Sequence, residues 1–109
     1  MILLSYLDSG ITVKGFNYLE WEGGKDWFYF NEDGIMLIGW QELEKENNLH
    51  WFYFDKINGN MLTKWQELEW SEGNNMFYFY PEKGYMAQDC CIDIDENNYC
   101  FDKNGCLIK

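Results

Sequence analysis

Along the chain, short aromatic runs alternate with acidic, Asn- and Gly-rich intervals, and the alternation recurs. Gly39-Trp40 leads through a polar interval to Trp51-Phe52-Tyr53-Phe54 and then to Asp55-Lys56-Ile57-Asn58-Gly59. Upstream, Gly15-Phe16 leads to Trp27-Phe28-Tyr29-Phe30 and Asn31-Glu32-Asp33-Gly34; downstream, Lys64-Trp65 leads to Met76-Phe77-Tyr78-Phe79 and Pro81-Glu82-Lys83-Gly84. The closing glycines Gly10, Gly34, Gly59, Gly84 and Gly105 are 24, 25, 25 and 21 positions apart, and the openers Phe16, Trp40, Trp65 and Cys90 are 24, 25 and 25 apart. Two landmarks that keep step define a repeat array. It reads as a single domain, 1–109: a partial repeat 1–14, repeats 15–38, 39–63 and 64–88, and a Cys-rich terminal repeat 89–109. The partial repeat, with Tyr6 and Gly10 in the places of Tyr29 and Gly34, is the second half of a unit.

Within each unit the pattern predicts two strands, such as Trp40 to Glu44 and Trp51 to Asp55, around a polar tip: Glu22-Gly23-Gly24-Lys25, Glu46-Asn47-Asn48, Ser71 to Asn75, or Asp95 to Asn98. Each unit is therefore expected to be a β-hairpin. Alternation along the second strand sends Trp51 and Tyr53 to one face and Phe52 and Phe54 to the other. A lone two-stranded hairpin is marginal in water, so one face of each must be covered by its neighbours. The Phe pairs, with Leu43 and Leu68, are the expected interior, where each buried Phe contributes roughly 1.5–3 kcal/mol.

Composition narrows the function. Aromatic residues make up 20% of the 109 positions, Ala87 is the one alanine and arginine is absent. Eight Lys against 19 acidic residues give a net charge of −11, which argues against nucleic acid or an anionic membrane surface as partner and is compatible with a cationic ligand. No apolar run reaches the length of a membrane span, and 1–7 lacks the basic start and cleavage site of a secretory signal. Either the chain is the mature or excised part of a longer exported protein or it is cytoplasmic, and the half unit at the start favours excision.

If the hairpins stack, tryptophans of neighbouring units meet at the seams. Trp27 and Tyr29 would come near Trp40, and Trp51 and Tyr53 near Trp65, with Met36 and Met61 as floors. Such notches suit a quaternary ammonium group, drawn to ring faces at about 0.5–2 kcal/mol per contact, and equally the apolar face of a sugar ring.

At these residues the sequence resembles the choline-binding and glucan-binding cell-wall repeats of Gram-positive bacteria and their phages. The matching elements are Gly39-Trp40, Trp51-Phe52-Tyr53-Phe54 and Gly59-Asn60-Met61, and again Trp27-Phe28-Tyr29-Phe30 and Gly34-Ile35-Met36. The resemblance implies an all-β solenoid, a left-handed superhelix of stacked β-hairpins. It also implies ligands at hairpin junctions: choline of teichoic acids, or glucan in related branches. Carried over residue by residue, it gives one junction of Trp27, Tyr29, Met36 and Trp40 and a second of Trp51, Tyr53, Met61 and Trp65. It further implies an extracellular or cell-surface location. The units are longer than is usual in the family, with the excess assigned to the tips. Phe16 and Cys90 stand where an opening Trp is usual, Lys64 where Gly is, and Met76 where an aromatic is. A third junction flanked by Met76 and Cys90 is therefore expected to be empty or weak.

Cys90, Cys91, Cys100 and Cys106 all fall in the last unit. Disulfides stapling a terminal cap, a thiolate metal site and apolar filling are the three readings, and metal ligation ranks last because adjacent Cys90 and Cys91 face opposite ways. Trp21 and Trp70 are read as tip packing and His50 as a solvated surface residue. No nucleophile, paired base or Arg presents itself, so catalysis has little to work with, and no cofactor is expected. A protein-contact scaffold of toxin or phage receptor-binding type, or self-association through end hairpins, is the alternative from another class. An enzyme ranks third.

Overall fold

The computed structural model describes residues 13–108; the half repeat expected in 1–14 lies almost wholly outside them. Eight strands form four antiparallel hairpins: β1 (Gly15–Trp21) with β2 (Gly24–Phe30), β3 (Gly39–Lys45) with β4 (Asn48–Phe54), β5 (Lys64–Trp70) with β6 (Gly73–Phe79), and β7 (Cys90–Ile94) with β8 (Asn97–Phe101). There is no helix among the described residues.

The tips differ from expectation. The strands of the first three hairpins run seven residues to two-residue turns, so the extra length lies in the strands. Glu46 and Asn47 (φ 57° and 71°), like Asp95 and Glu96 (φ 51° and 73°), both take positive φ, the geometry that matches the twist of a hairpin. The Asn- and Glu-rich composition near each tip reflects a strand end wetted on both faces.

Closing turns repeat as closely as the hairpins do. Asn31 Oδ1 accepts the N–H groups of Asp33 and Ile35, Asp55 Oδ1 those of Ile57 and Asn58, and Asp102 Oδ1 those of Asn104 and Cys106, at 2.8–3.0 Å. A side-chain oxygen thus replaces a turn carbonyl. Past each turn, Met36, Met61, Met86 and Leu107 pair singly with Phe30, Phe54, Phe79 and Phe101.

The chain forms two compact units, 1–42 with 53–61 and 43–52 with 62–109, so β3 and β4 contribute their open ends to the first and their tip to the second. In the first, Phe28 and Phe30 are buried, with Val13, Leu19, Trp21 and Met36 packed on them. Trp21 lies over its own tip: its indole N–H donates to Asp26 Oδ2 at 2.7 Å and its ring meets Phe28 edge-on. In the second, Ala87, Ile94 and Phe101 form a core that Trp65, Tyr78, Tyr80, Cys90, Ile92, Tyr99 and Leu107 cover. Phe52, Phe54, Phe77 and Phe79 have no exposed surface, so the Phe pairs are the interior that alternation predicts.

Successive hairpins are tied by one recurring backbone bond. Within the first unit, the Met61 N–H donates to the Trp27 carbonyl at 2.8 Å; within the second, Met86 donates to Trp51 at 2.9 Å and Leu107 to Met76 at 3.0 Å. Each of these three closing turns is thereby pinned to the residue that opens the aromatic cluster one repeat earlier: Trp27, Trp51 or Met76.

Candidate functional site

On β1 and β2, Phe16 faces Tyr29 and Tyr18 faces Trp27 across the ladder, so four aromatic rings share one face. Phe16 and Tyr29 meet edge-on at 4.8 Å, and Tyr18 and Trp27 lie 5.2 Å apart at a 48° tilt. The inner pair is half-buried, whereas Tyr18 is 55% and Trp27 45% exposed. The opposite face carries Phe28 and Phe30 into the core. Period-two alternation thus gives one strand both a structural row and an accessible row.

All four residues of the first predicted junction, Trp27, Tyr29, Met36 and Trp40, lie in the first unit. Met36 packs on the Phe28/Phe30 core. Trp40 meets Tyr53 edge-on at 5.1 Å. Of the second predicted set, Tyr53 and Met61 belong to the first unit and are nearly buried, while Trp51 and Trp65 belong to the second.

Trp65 has neighbours that the spacing did not announce. Its ring lies edge-on to Tyr78 at 5.2 Å and to Tyr99 at 4.9 Å, and tilted against Phe101 at 5.8 Å. Tyr99 was hidden because it occupies a place that is Phe in the earlier units. Tyr80 closes the cluster with its hydroxyl 3.8 Å from Cys90 Sγ; burial, then the contact with Cys90, pushes its pKa up to about 12.

The cysteines resolve into a staple and two thiols. Cys91 and Cys100, direct partners across β7 and β8, form a disulfide, and Cys90 and Cys106 are free and half-buried. Burial, with help from Asp102, raises the Cys106 thiol pKa. Counting predicts Cys90 as the counterpart of Trp65, but Cys90 pairs with Phe101, whereas Trp65 pairs with Tyr78. The terminal hairpin keeps the pairing of the earlier ones but starts one residue later than the count, so Cys90 takes the place of Lys64 on the inward face and the Cys91–Cys100 disulfide stands where earlier hairpins hold an opposed aromatic pair.

His50 is not a freely solvated residue. Its ring stacks on Tyr85 at 3.6 Å with 6° between planes, and the Glu46–Lys83 ion pair (3.0 Å) joins the same two elements. Burial lowers the His50 pKa, with Glu46 opposing the shift and Lys45 and Lys83 adding to it.

Residues 20–65 match the family profile described as the choline-binding repeat. Over this stretch, less than half of the chain, the sequence is similar to choline-binding repeats. Choline-binding repeats are binding modules, and all eight predicted junction residues fall inside the matched segment. Choline-binding protein F of Streptococcus pneumoniae, solved in the presence of a peptidoglycan analogue, is 23% identical, with 89% of this chain and 34% of that one covered and a TM-score of 0.57. A structure of CbpF with ipratropium gives the same identity, chain coverage and TM-score, with 32% of that chain covered. The chain thus spans about a third of the length of these proteins, and the likeness establishes a shared fold. No curated protein matches the sequence.

Proposed function

We propose that the chain is a non-catalytic cell-wall-binding module that holds the choline of teichoic acids, or a related surface polymer, through the aromatic residues of its repeats. Trp27, Tyr29, Met36 and Trp40 carry the first ligand, and Trp51, Tyr53, Met61 and Trp65 are their counterparts one repeat on. The observation that carries this reading is the choline-binding repeat match, which contains all eight of these residues. A net charge of −11 favours a cationic headgroup over an anionic partner. The pinning of Met61 to Trp27, Met86 to Trp51 and Leu107 to Met76 supports stacking of successive hairpins within each unit, as a solenoid of hairpin repeats requires. The location that follows is the surface of a Gram-positive cell, as part of a longer exported protein.

Intrinsic tryptophan fluorescence titrated with choline, and separately with glucan oligosaccharides, tests the proposal. A saturable response to choline that is lost in Trp40→Ala is the expected result. A response to glucan alone transfers the module to the carbohydrate branch, and no response to either removes the function in favour of a protein-contact scaffold.

A further inference from the structure

The Cys91–Cys100 disulfide lies on the open face of the terminal hairpin. Its two sulfurs join direct partners across β7 and β8, between the pair Ile92 and Tyr99 and the pair Cys90 and Phe101. Those flanking pairs belong to the core of Ala87, Ile94 and Phe101, on which Cys90, Ile92 and Tyr99 pack, so alternation turns the disulfide the other way. Cys91 is exposed and Cys100 half-buried. A thiolate arriving from solvent therefore reaches the Cys91 sulfur first, and access helps decide which sulfur of a disulfide is attacked.

The surrounding charge selects the attacker. Asp93 stands at the next place on the same face, opposite Asn98. At the other end of the hairpin the Asp89 N–H donates to the Asp102 carbonyl at 2.8 Å, so two more acidic residues flank the bond there. Residues 89–103 hold Asp89, Asp93, Asp95, Glu96 and Asp102 against Lys103 alone. Such a field draws in a thiol that carries an ammonium group and repels one that carries an anion, and salt weakens both effects.

The bond also governs Trp65. Tyr99 and Phe101, on either side of Cys100, are two of the rings that cover it. Strands of five residues make a hairpin too short to stand unaided.

We propose that the Cys91–Cys100 disulfide is a reducible latch, opened at Cys91 by cationic aminothiols in preference to anionic thiols, and that opening it frees the terminal hairpin from Trp65 while the first hairpin stays folded. The donor thiolate forms a mixed disulfide with Cys91, and Cys100 leaves as a thiolate that takes a proton from water. A second donor thiolate attacks the donor's sulfur in the mixed disulfide; the two donors depart joined as their own disulfide, and Cys91 is released as a thiolate that is protonated in turn. Two donor thiols are oxidised for each protein disulfide reduced.

The test is the rate at which cysteamine and 2-mercaptoethanesulfonate reduce the whole chain at low ionic strength. Each rate is referred to the thiolate concentration and to the same thiol's rate on a neutral small disulfide. Cysteamine is expected to react at least about tenfold faster than the sulfonate, with the gap narrowing in about 1 M salt and in Asp93→Asn. Peptide mapping after an acid quench should place the mixed disulfide on Cys91. Hydrogen exchange of the reduced chain should accelerate across 90–101 and leave β1 and β2 unchanged. Equal rates for the two charged thiols, or a mixed disulfide on Cys100, overturns the selective latch. Acceleration spread evenly over every hairpin overturns it as well, since the bond would then stabilise the fold as a whole.

Discussion

Met36 lies directly over Gly59. A Cβ built on Gly59 would fall on Met36 Sδ, with Met36 Cε at 2.6 Å and Cγ at 3.1 Å. The closing glycine therefore serves twice: its φ of +81° suits the turn, and its missing side chain admits the methionine of the preceding repeat. Gly105 stands in the same relation to Met86. Gly59→Ala is expected to cost about 2–4 kcal/mol, combining left-handed strain with overpacking. The double variant with Met36→Ala should cost less than the two singles together. Urea denaturation of the four species measures the coupling; strict additivity would refute the close approach as a source of the cost.

The fold was largely legible because each signal recurs. Repeated spacing located the hairpins, and alternation in Trp51 to Phe54 assigned the interior row. What escaped lies in relations between distant residues. Tyr85 is 35 positions from His50, and nothing local to His50 announces a stacking partner. Cys90 keeps the spacing of the openers, but the connection from Phe79 to β7 is one residue longer than that from Phe54 to β5, so the opener's place in the hairpin falls to Cys91 and period two puts Cys90 on the other face. Tyr18 passed unnoticed because β3 and β5 carry Glu42 and Glu67 in its place, so no repeat pattern drew attention to it.

The His50–Tyr85 stack makes stability depend on pH. Burial lowers the folded-state pKa of His50 below its ordinary value of 6.5, so the unfolded chain binds a proton first as pH falls. The contribution is fully present above about pH 6.5 and declines as pH drops from there through the lower folded value. Glu46, Lys45, Lys83 and Tyr85 surround the ring. Thermal melts between pH 5 and 8 should show a fall in Tm on acidification that His50→Gln reduces. An unchanged pH profile in that variant would count against the stack as its source.

Reducing the Cys91–Cys100 bond releases a hairpin whose strands are five residues long. Closing a loop of this size contributes about 2–3 kcal/mol. Because Trp65 rests on Tyr99 and Phe101, the neighbours of Cys100, the loss should appear in indole fluorescence at lower urea under reducing conditions. Cys100→Ser should reproduce it. A reductant effect that persists in Cys100→Ser would place the sensitivity elsewhere.

The tryptophans separate into those that hold the fold and those that face solvent, and substitution should divide them the same way. Trp65 packs on three rings around the Ala87, Ile94 and Phe101 core, so Trp65→Ala leaves a void and is expected to cost about 2–4 kcal/mol. For a domain of this size that lowers Tm by roughly 10 °C or more. Trp27 is 45% exposed, and what ties its strand to Met61 is its backbone carbonyl, which Trp27→Ala keeps. That variant should lose about 1 kcal/mol or less while losing ligand response in the titrations above. Should Trp27→Ala unfold the chain as readily as Trp65→Ala, the exposed indole would be a structural member, and the aromatic face of β1 and β2 would lose its claim to be a binding surface.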